Sequence, residues 1–95
     1  MSLLKRKATL EFSGHVITVD AEDMERIEHA GPWKPIPLDQ NIIHWYRNRG
    51  TDNRPAFQLL EHFIMNARDN QSVALIDRSL KGALDLRKSN LKVSA

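Results

Sequence analysis

Ninety-five residues carry 14 lysines and arginines against 12 aspartates and glutamates, no cysteine, and 41% hydrophobic side chains. That describes a single small domain with a thin core. The missing cysteine excludes a disulfide framework and a thiolate zinc site and fits a reducing cytoplasm. The run Met1 to Lys7 puts three bases after two leucines, which is not the pattern of a signal peptide, and no window approaches the ~20 apolar residues of a membrane span.

In chain order, residues 1–7 are expected to form a flexible basic arm, and residues 8–19 a β-hairpin. In that hairpin Leu10 and Phe12 alternate with polar neighbours, Ser13-Gly14 supplies the turn, and Val16 to Val19 are β-branched. Asp20 reads as the N-cap of a helix, with Asp23 in the capping-box position and Met24 and Ile27 as its apolar stripe. Gly31-Pro32 ends that helix. Residues 33–38 hold two prolines, so they can form only an edge strand or an extended segment. Ile42 to Arg49 predicts a strand and Gly50 to Asn53 its turn.

Pro55 suits the first turn of a second helix running through Arg68, with Leu59, Leu60, Phe63, Ile64 and Ala67 on one broad face. This is expected to be the central core helix, its apolar face buried either within the chain or across a homodimer axis. Val73 to Ile76 predicts a short strand, Arg78 to Gly82 a loop, and Asp85 the N-cap of a short last helix with Leu86 and Leu91 as its apolar residues. The expected class is α+β.

The charge is unevenly laid out. Lys5, Arg6 and Lys7 give residues 1–7 a charge of +3, residues 8–39 carry −5, and residues 40–95 carry +4. A basic carboxy-terminal half suits a polyanion-facing surface and equally suits a solvated face. His15, His29, His44 and His62 fall on four different elements without the close spacing of a metal site. Trp33, Trp45 and Tyr46, followed by Arg47 and Arg49, could stack on bases, or pack in the core with their polar tips outward. No glycine-rich phosphate loop and no Ser/His/Asp ordering stands out.

The tail is more specific. Leu84-Asp85-Leu86-Arg87-Lys88-Ser89-Asn90-Leu91-Lys92-Val93 resembles the end of HNH homing endonucleases of the phage and intron type, whose pattern runs Leu-Asp-Asn-Arg-x-x-Asn-Leu-Arg. Other pieces follow the same order: Val19 to Asp23 before a helix and Trp33, a Tyr-x-Arg strand at Tyr46 to Arg49, and Leu60 to Met65 against the family's Leu-His-Arg-x-Ile-Met. The resemblance spans roughly residues 10–95. It implies an N-terminal hairpin and helix, a central core helix, and a C-terminal degenerate ββα-metal (HNH-like) hairpin plus short helix.

In that family the hairpin strand reads Val-Asp-His-Ile-Asn-Gly-Asp. Its Asp binds a divalent metal, its His activates water, and the Asn of Leu-Asp-Asn orients that His. In this chain Ala74 matches the metal carboxylate, Leu75 the base and Leu86 the orienting Asn, and only Asn90 survives. Glu61 stands at the family's His and His62 at its Arg, and the hairpin gains three residues within Arg78-Ser-Leu-Lys-Gly. An alanine cannot ligate and a leucine cannot accept a proton, so the resemblance implies a dismantled nuclease with no catalytic set. Asn90, Asp77 and His62 are the residual candidates, with Mg2+ or Mn2+ as cofactor only if cleavage survives by a rearranged site.

The expectation is therefore a phage or mobile-element protein in a bacterial cytoplasm that binds a host or competing-element protein complex. An inhibitor of anti-CRISPR or anti-restriction type is its concrete form. The alternative is a non-cleaving DNA-binding accessory or regulatory protein. For either partner the candidate contacts are Arg47, Arg49, Arg54, Lys81, Arg87, Lys88 and Lys92.

Overall fold

A computed structural model describes residues 6–39, 42–79 and 82–94. Lys81 and residues 1–5 of the expected arm lie outside them. The order of elements is β1 (Lys7–Phe12), β2 (His15–Asp20), α1 (Ala21–Ala30), β3 (Lys34–Asp39), β4 (Ile42–Asn48), β5 (Phe57–Leu59), α2 (Leu60–Met65), β6 (Ser72–Leu75) and β7 (Leu91–Ser94). Single turns of 3-10 helix at Gly82–Leu84 and Lys88–Asn90 lie between the last two strands. The class is α+β.

Three antiparallel sheets surround one core. β1 pairs with β2 from Lys7↔Asp20 to Phe12↔His15 across the Ser13-Gly14 turn, where both residues take positive φ, 50° and 83°. Gly14 tolerates that conformation because it has no Cβ. The second sheet runs β3-β4-β5, so the proline-bearing strand is an edge, as its missing donors require. The third is the β6–β7 pair. α1 starts and ends where the sequence indicates, with Asp20 at its N-cap and Gly31 at its C-cap.

Three local expectations are corrected. The helix expected over 56–68 is instead the strand β5 followed by the six residues of α2. Phe57, Gln58 and Leu59 pair with Asn48, Arg47 and Tyr46, a long-range interaction that outcompetes local helix propensity. Asn66 then stops α2 in the left-handed conformation (φ 52°), its N–H donating to the carbonyl of Phe63. The last helix is one 3-10 turn capped at Arg87, and Leu91 belongs to β7. Asp85 does not cap it, because its carboxylate is bonded to Arg87 and its backbone bridges to Thr18 of β2. The capping box at Asp20 also fails: among the described residues its side chain makes no bond into α1, and Oδ2 accepts the N–H of Lys88 at 3.0 Å instead.

The core draws on every sheet. Ile17 and Val19 point inward from β2, Ile27 from α1, Trp45 from β4, Leu60 and Ile64 one turn apart from α2, and Leu75, Leu86 and Leu91 from the C-terminal hairpin. Trp33 packs against Phe63 and donates its indole N–H to the carbonyl of Ile27 at 2.7 Å, so both tryptophans are packing residues. Arg26 ties α1 to α2 by donating to the carbonyls of Phe63 and Ile64 in the last turn of α2 (3.1 and 2.6 Å), while also bonding Asp23. No helix among the described residues is long and apolar enough to cross a membrane.

Candidate functional site

β6 and β7 pair from Ser72↔Ser94 to Leu75↔Leu91, and the side chain of Asn90 ties together the ends of the segment between them. Buried Asn90 accepts the N–H of Asp77 at its Oδ1 (2.8 Å) and donates from Nδ2 to the carbonyl of Asp85 (2.9 Å). Its own carbonyl takes the N–H of Ile76 at 2.9 Å. An asparagine can both donate and accept, so it joins the two ends of the loop in a way an aliphatic side chain could not. The side chain of Asn90 thus bonds the backbone of its own hairpin at both ends of the loop.

Around this staple the charges are paired. Asp77 is exposed and accepts the N–H of Ser79, a bond that lowers its pKa. Asp85 receives Nε and an NH2 group of Arg87 in a fork at 2.8 and 2.7 Å, which lowers the carboxylate pKa and raises that of the guanidinium. The N–H of Leu86 donates to Thr18, docking the loop on β2. One residue beyond Arg87, Lys88 reaches the first turn of α1. There Nζ lies 3.1 Å from Glu22 and 3.2 Å from Asp23, which is 2% exposed. Burial opposes the charge on Lys88, but the bonds to both acids outweigh it and raise its pKa.

Asp20, Glu22 and Asp23 present carboxylate oxygens within 4.8 Å of one another, the one acidic or histidine cluster among the described residues compact enough for a cation. The Lys88 ammonium already supplies positive charge there. Asp23 Oδ2 has no partner among the described residues, and the same is true of Trp45 Nε1.

The positions that the resemblance matches to a metal ligand, a base and its orienting residue hold side chains with no ligand or base atom. Ala74 is exposed but has no ligand atom, while Leu75 and Leu86 are core residues at 9% and 4% exposure. His62 lies half-buried on α2, and neither it nor Asp77 joins a metal-capable cluster among the described residues. Of the three residual candidates, Asn90 bonds the backbone of Asp77, while His62 belongs to a different element, α2.

The cationic candidates divide. Arg47 donates to Gln58 Oε1 (3.0 and 2.9 Å) and the carbonyl of Ala30 (3.2 Å), with its guanidinium over the Trp33 and Phe63 rings, 5.6 and 4.8 Å from their centroids. Arg49 pairs with Asp69 at 2.8 Å, and Arg87 and Lys88 are paired as above. Arg54, in the Gly50–Arg54 turn, and Lys92 on β7 are exposed. That turn needs Gly50, since a Cβ there would come 2.2 Å from the carbonyl of Arg54.

Sequence reasoning missed a second polar feature. His44 Nδ1 lies 2.6 Å from Glu61 Oε2, with the two side chains 12% and 3% exposed. Glu61 sits between Leu60 and Phe63 on an otherwise apolar segment, a placement that signals a buried acid in need of a partner. Seventeen residues separate it from His44, so spacing could not name that partner.

The fold and site define a small α+β protein whose C-terminal hairpin is stapled by an asparagine and surrounded by internal ion pairs. No protein-family model matches the chain, and no curated protein or solved structure does either.

Proposed function

We propose that this chain is a catalytically inactive HNH-like protein that acts by binding a macromolecular partner, as an inhibitor of a nucleic-acid-processing defence complex of anti-CRISPR or anti-restriction type. The observation that carries the inactive reading is the burial of Leu75 and Leu86 at the base and base-orienting positions, beside an Ala74 that offers no ligand. A phosphodiester held there would meet apolar side chains instead of a metal and donors. The inhibitor reading adds the resemblance to phage-type proteins and the small size. A protein partner is favoured over DNA because Arg47, Arg49, Arg87 and Lys88 are engaged within the chain, which removes them from a phosphate track.

The test pairs two assays on the full chain. Supercoiled plasmid with Mg2+ or Mn2+ is expected to stay intact at high protein concentration, while purified CRISPR or restriction complexes of the bacterial host lose cleavage when the chain is added. Metal-dependent nicking abolished by Asp77→Ala or His62→Ala overturns the inactive reading. Unimpaired cleavage by the complexes together with tight, salt-sensitive duplex binding replaces the inhibitor with a DNA-binding regulator.

A further inference from the structure

The outer face of the β3-β4-β5 sheet belongs to neither the hairpin nor the core. In an antiparallel sheet, cross-strand partners share a face. Tyr46 faces Lys34 on one side and Leu59 on the other, Asn48 faces Phe57, and Ile36 lies two residues along β3 from Lys34. The reverse face carries Trp45 into the core; on the Tyr46 face Ile42 and His44 are covered, so its open part lies around Tyr46, Asn48 and Phe57. Phe57 is 66% exposed there and meets Tyr46 edge-on with ring centroids 5.5 Å apart.

Two cavities lie on this face and share Tyr46 and Phe57. One, of about 320 Å³, is lined by Ile36, Tyr46, Phe57 and Leu59. The other, of about 220 Å³, adds Lys34, Arg47 and Asn48 beside the turn that ends α1. Among the described residues no acidic side chain lines either. Arg47 alternates with Tyr46 to the opposite face and is spent on Gln58 and the carbonyl of Ala30, so Lys34 is the cation that an anion would meet here.

We infer that this groove binds an extended acidic segment of a partner protein, seating an aromatic or large aliphatic side chain in the apolar cavity and a neighbouring carboxylate against Lys34. The inference rests on the partner-binding reading above and places its contact surface. Charge complementarity selects the occupant. A second copy packed face to face about a two-fold axis would bring one Lys34 against another. Single-stranded nucleic acid would use the aromatic rings but needs a row of cations for successive phosphates, whereas one cavity here is wholly apolar in its lining. Strand addition at the β3 edge is blocked, since Pro35 and Pro37 lack N–H groups, so recognition uses the face.

The experiment titrates the full chain into three fluorescein-labelled probes: a decapeptide alternating aspartate with tryptophan and leucine, its twin with lysine for aspartate, and a ten-nucleotide oligothymidylate. The acidic peptide is expected to bind at least about tenfold tighter than either of the others, and Phe57→Ser to weaken it about tenfold or more. Lys34→Glu should move the preference toward the lysine twin. Both side chains are exposed, and thermal unfolding confirms that each variant is folded. Backbone amide shifts on adding the acidic peptide should centre on β3, β4 and β5.

Equal affinity for the two peptides, or unchanged binding by Phe57→Ser, overturns the inference. So does tighter binding of oligothymidylate, which gives the face to nucleic acid, or concentration-dependent dimerisation abolished by Phe57→Ser, which gives it to a second copy. If the acidic peptide binds here while defence complexes are unaffected, the inhibitor reading fails and the groove stands. If the complexes are inhibited equally by the Phe57→Ser protein, the groove fails and the inhibitor stands.

Discussion

Between Asp77 and Leu91, the side chains of Asp85, Arg87, Lys88 and Asn90 are directed back at the chain itself. Asn90 ties the loop ends, Asp85 clasps Arg87, and Lys88 crosses to the acids of α1. On the outer face of β3-β4-β5 the opposite holds, with Phe57 standing two-thirds exposed beside Tyr46, Ile36 and Leu59. Polar groups turned inward add stability and leave little for a ligand, whereas apolar groups turned outward give up burial that folding could have used. The contrast teaches where recognition and stability separate in this chain: polarity alone would have pointed to the basic tail, and accessibility points to the sheet.

The comparison breaks most sharply if the loop can accept the asparagine of the nuclease pattern it resembles. Leu86→Asn introduces that asparagine but removes a core side chain and buries an amide among apolar neighbours. A loss of about 3 kcal/mol is expected from the combined cavity and polar-burial costs, measured as a lower urea midpoint at unchanged m. A tolerated Leu86→Asn, within about 1 kcal/mol of the parent, would show a loop able to host a catalytic set and reopen the nuclease reading.

Asn90→Ala comes next. It leaves the N–H of Asp77 and the carbonyl of Asp85 without their partner, for an expected cost of about 2 kcal/mol in urea unfolding. Stability held within about 0.5 kcal/mol, with partner binding lost, would move Asn90 from the loop's framework to a contact surface.

Much of the framework was legible because its signals are local. The Ser13-Gly14 turn, the stop at Gly31-Pro32 and the two prolines of β3 each act within a few residues, and all three features appear where the sequence puts them. Failures came where distant pairing decided. Phe57 to Leu59 carries a helical pattern yet joins β4, and Asp85 is a sound N-cap by type yet is taken by Arg87 and by docking on β2. Asn66 was a readable stop signal that the apolar run 59–67 masked. In the site, the type of Asn90, Arg87 and Lys88 was visible, but their internal partners were not. Asp20 lies 68 residues from the N–H of Lys88 that it accepts.

The paired charges also give the loop a pH signature smaller than either substitution. Arg87 holds the Asp85 pKa down in the folded state, so this carboxylate contributes stability above its unfolded pKa of about 3.9, and that contribution is lost as pH falls through the lower folded value. Lys88 acts in reverse: its raised pKa contributes stability below about 10.4, lost as pH rises through the folded value. Unfolding free energy followed from pH 5 down to pH 2 should therefore fall less steeply in Asp85→Asn than in the parent. Parallel slopes would mean that the Asp85–Arg87 fork adds nothing to the stability of the loop.

The smallest expected effect lies on the other side of the comparison. Phe57→Ser removes the largest exposed apolar side chain of the outer sheet face, and only its contact with Tyr46 and its share of burial are lost. An exposed site of this kind should change unfolding free energy by less than about 1 kcal/mol. Solubility should rise, because a contiguous apolar patch favours self-association until a partner covers it. If Phe57→Ser instead cost about 3 kcal/mol, as truncation of a core aromatic does, the face would be part of the folded framework. The two regions would then no longer differ in kind, since both would be spent on holding the chain together.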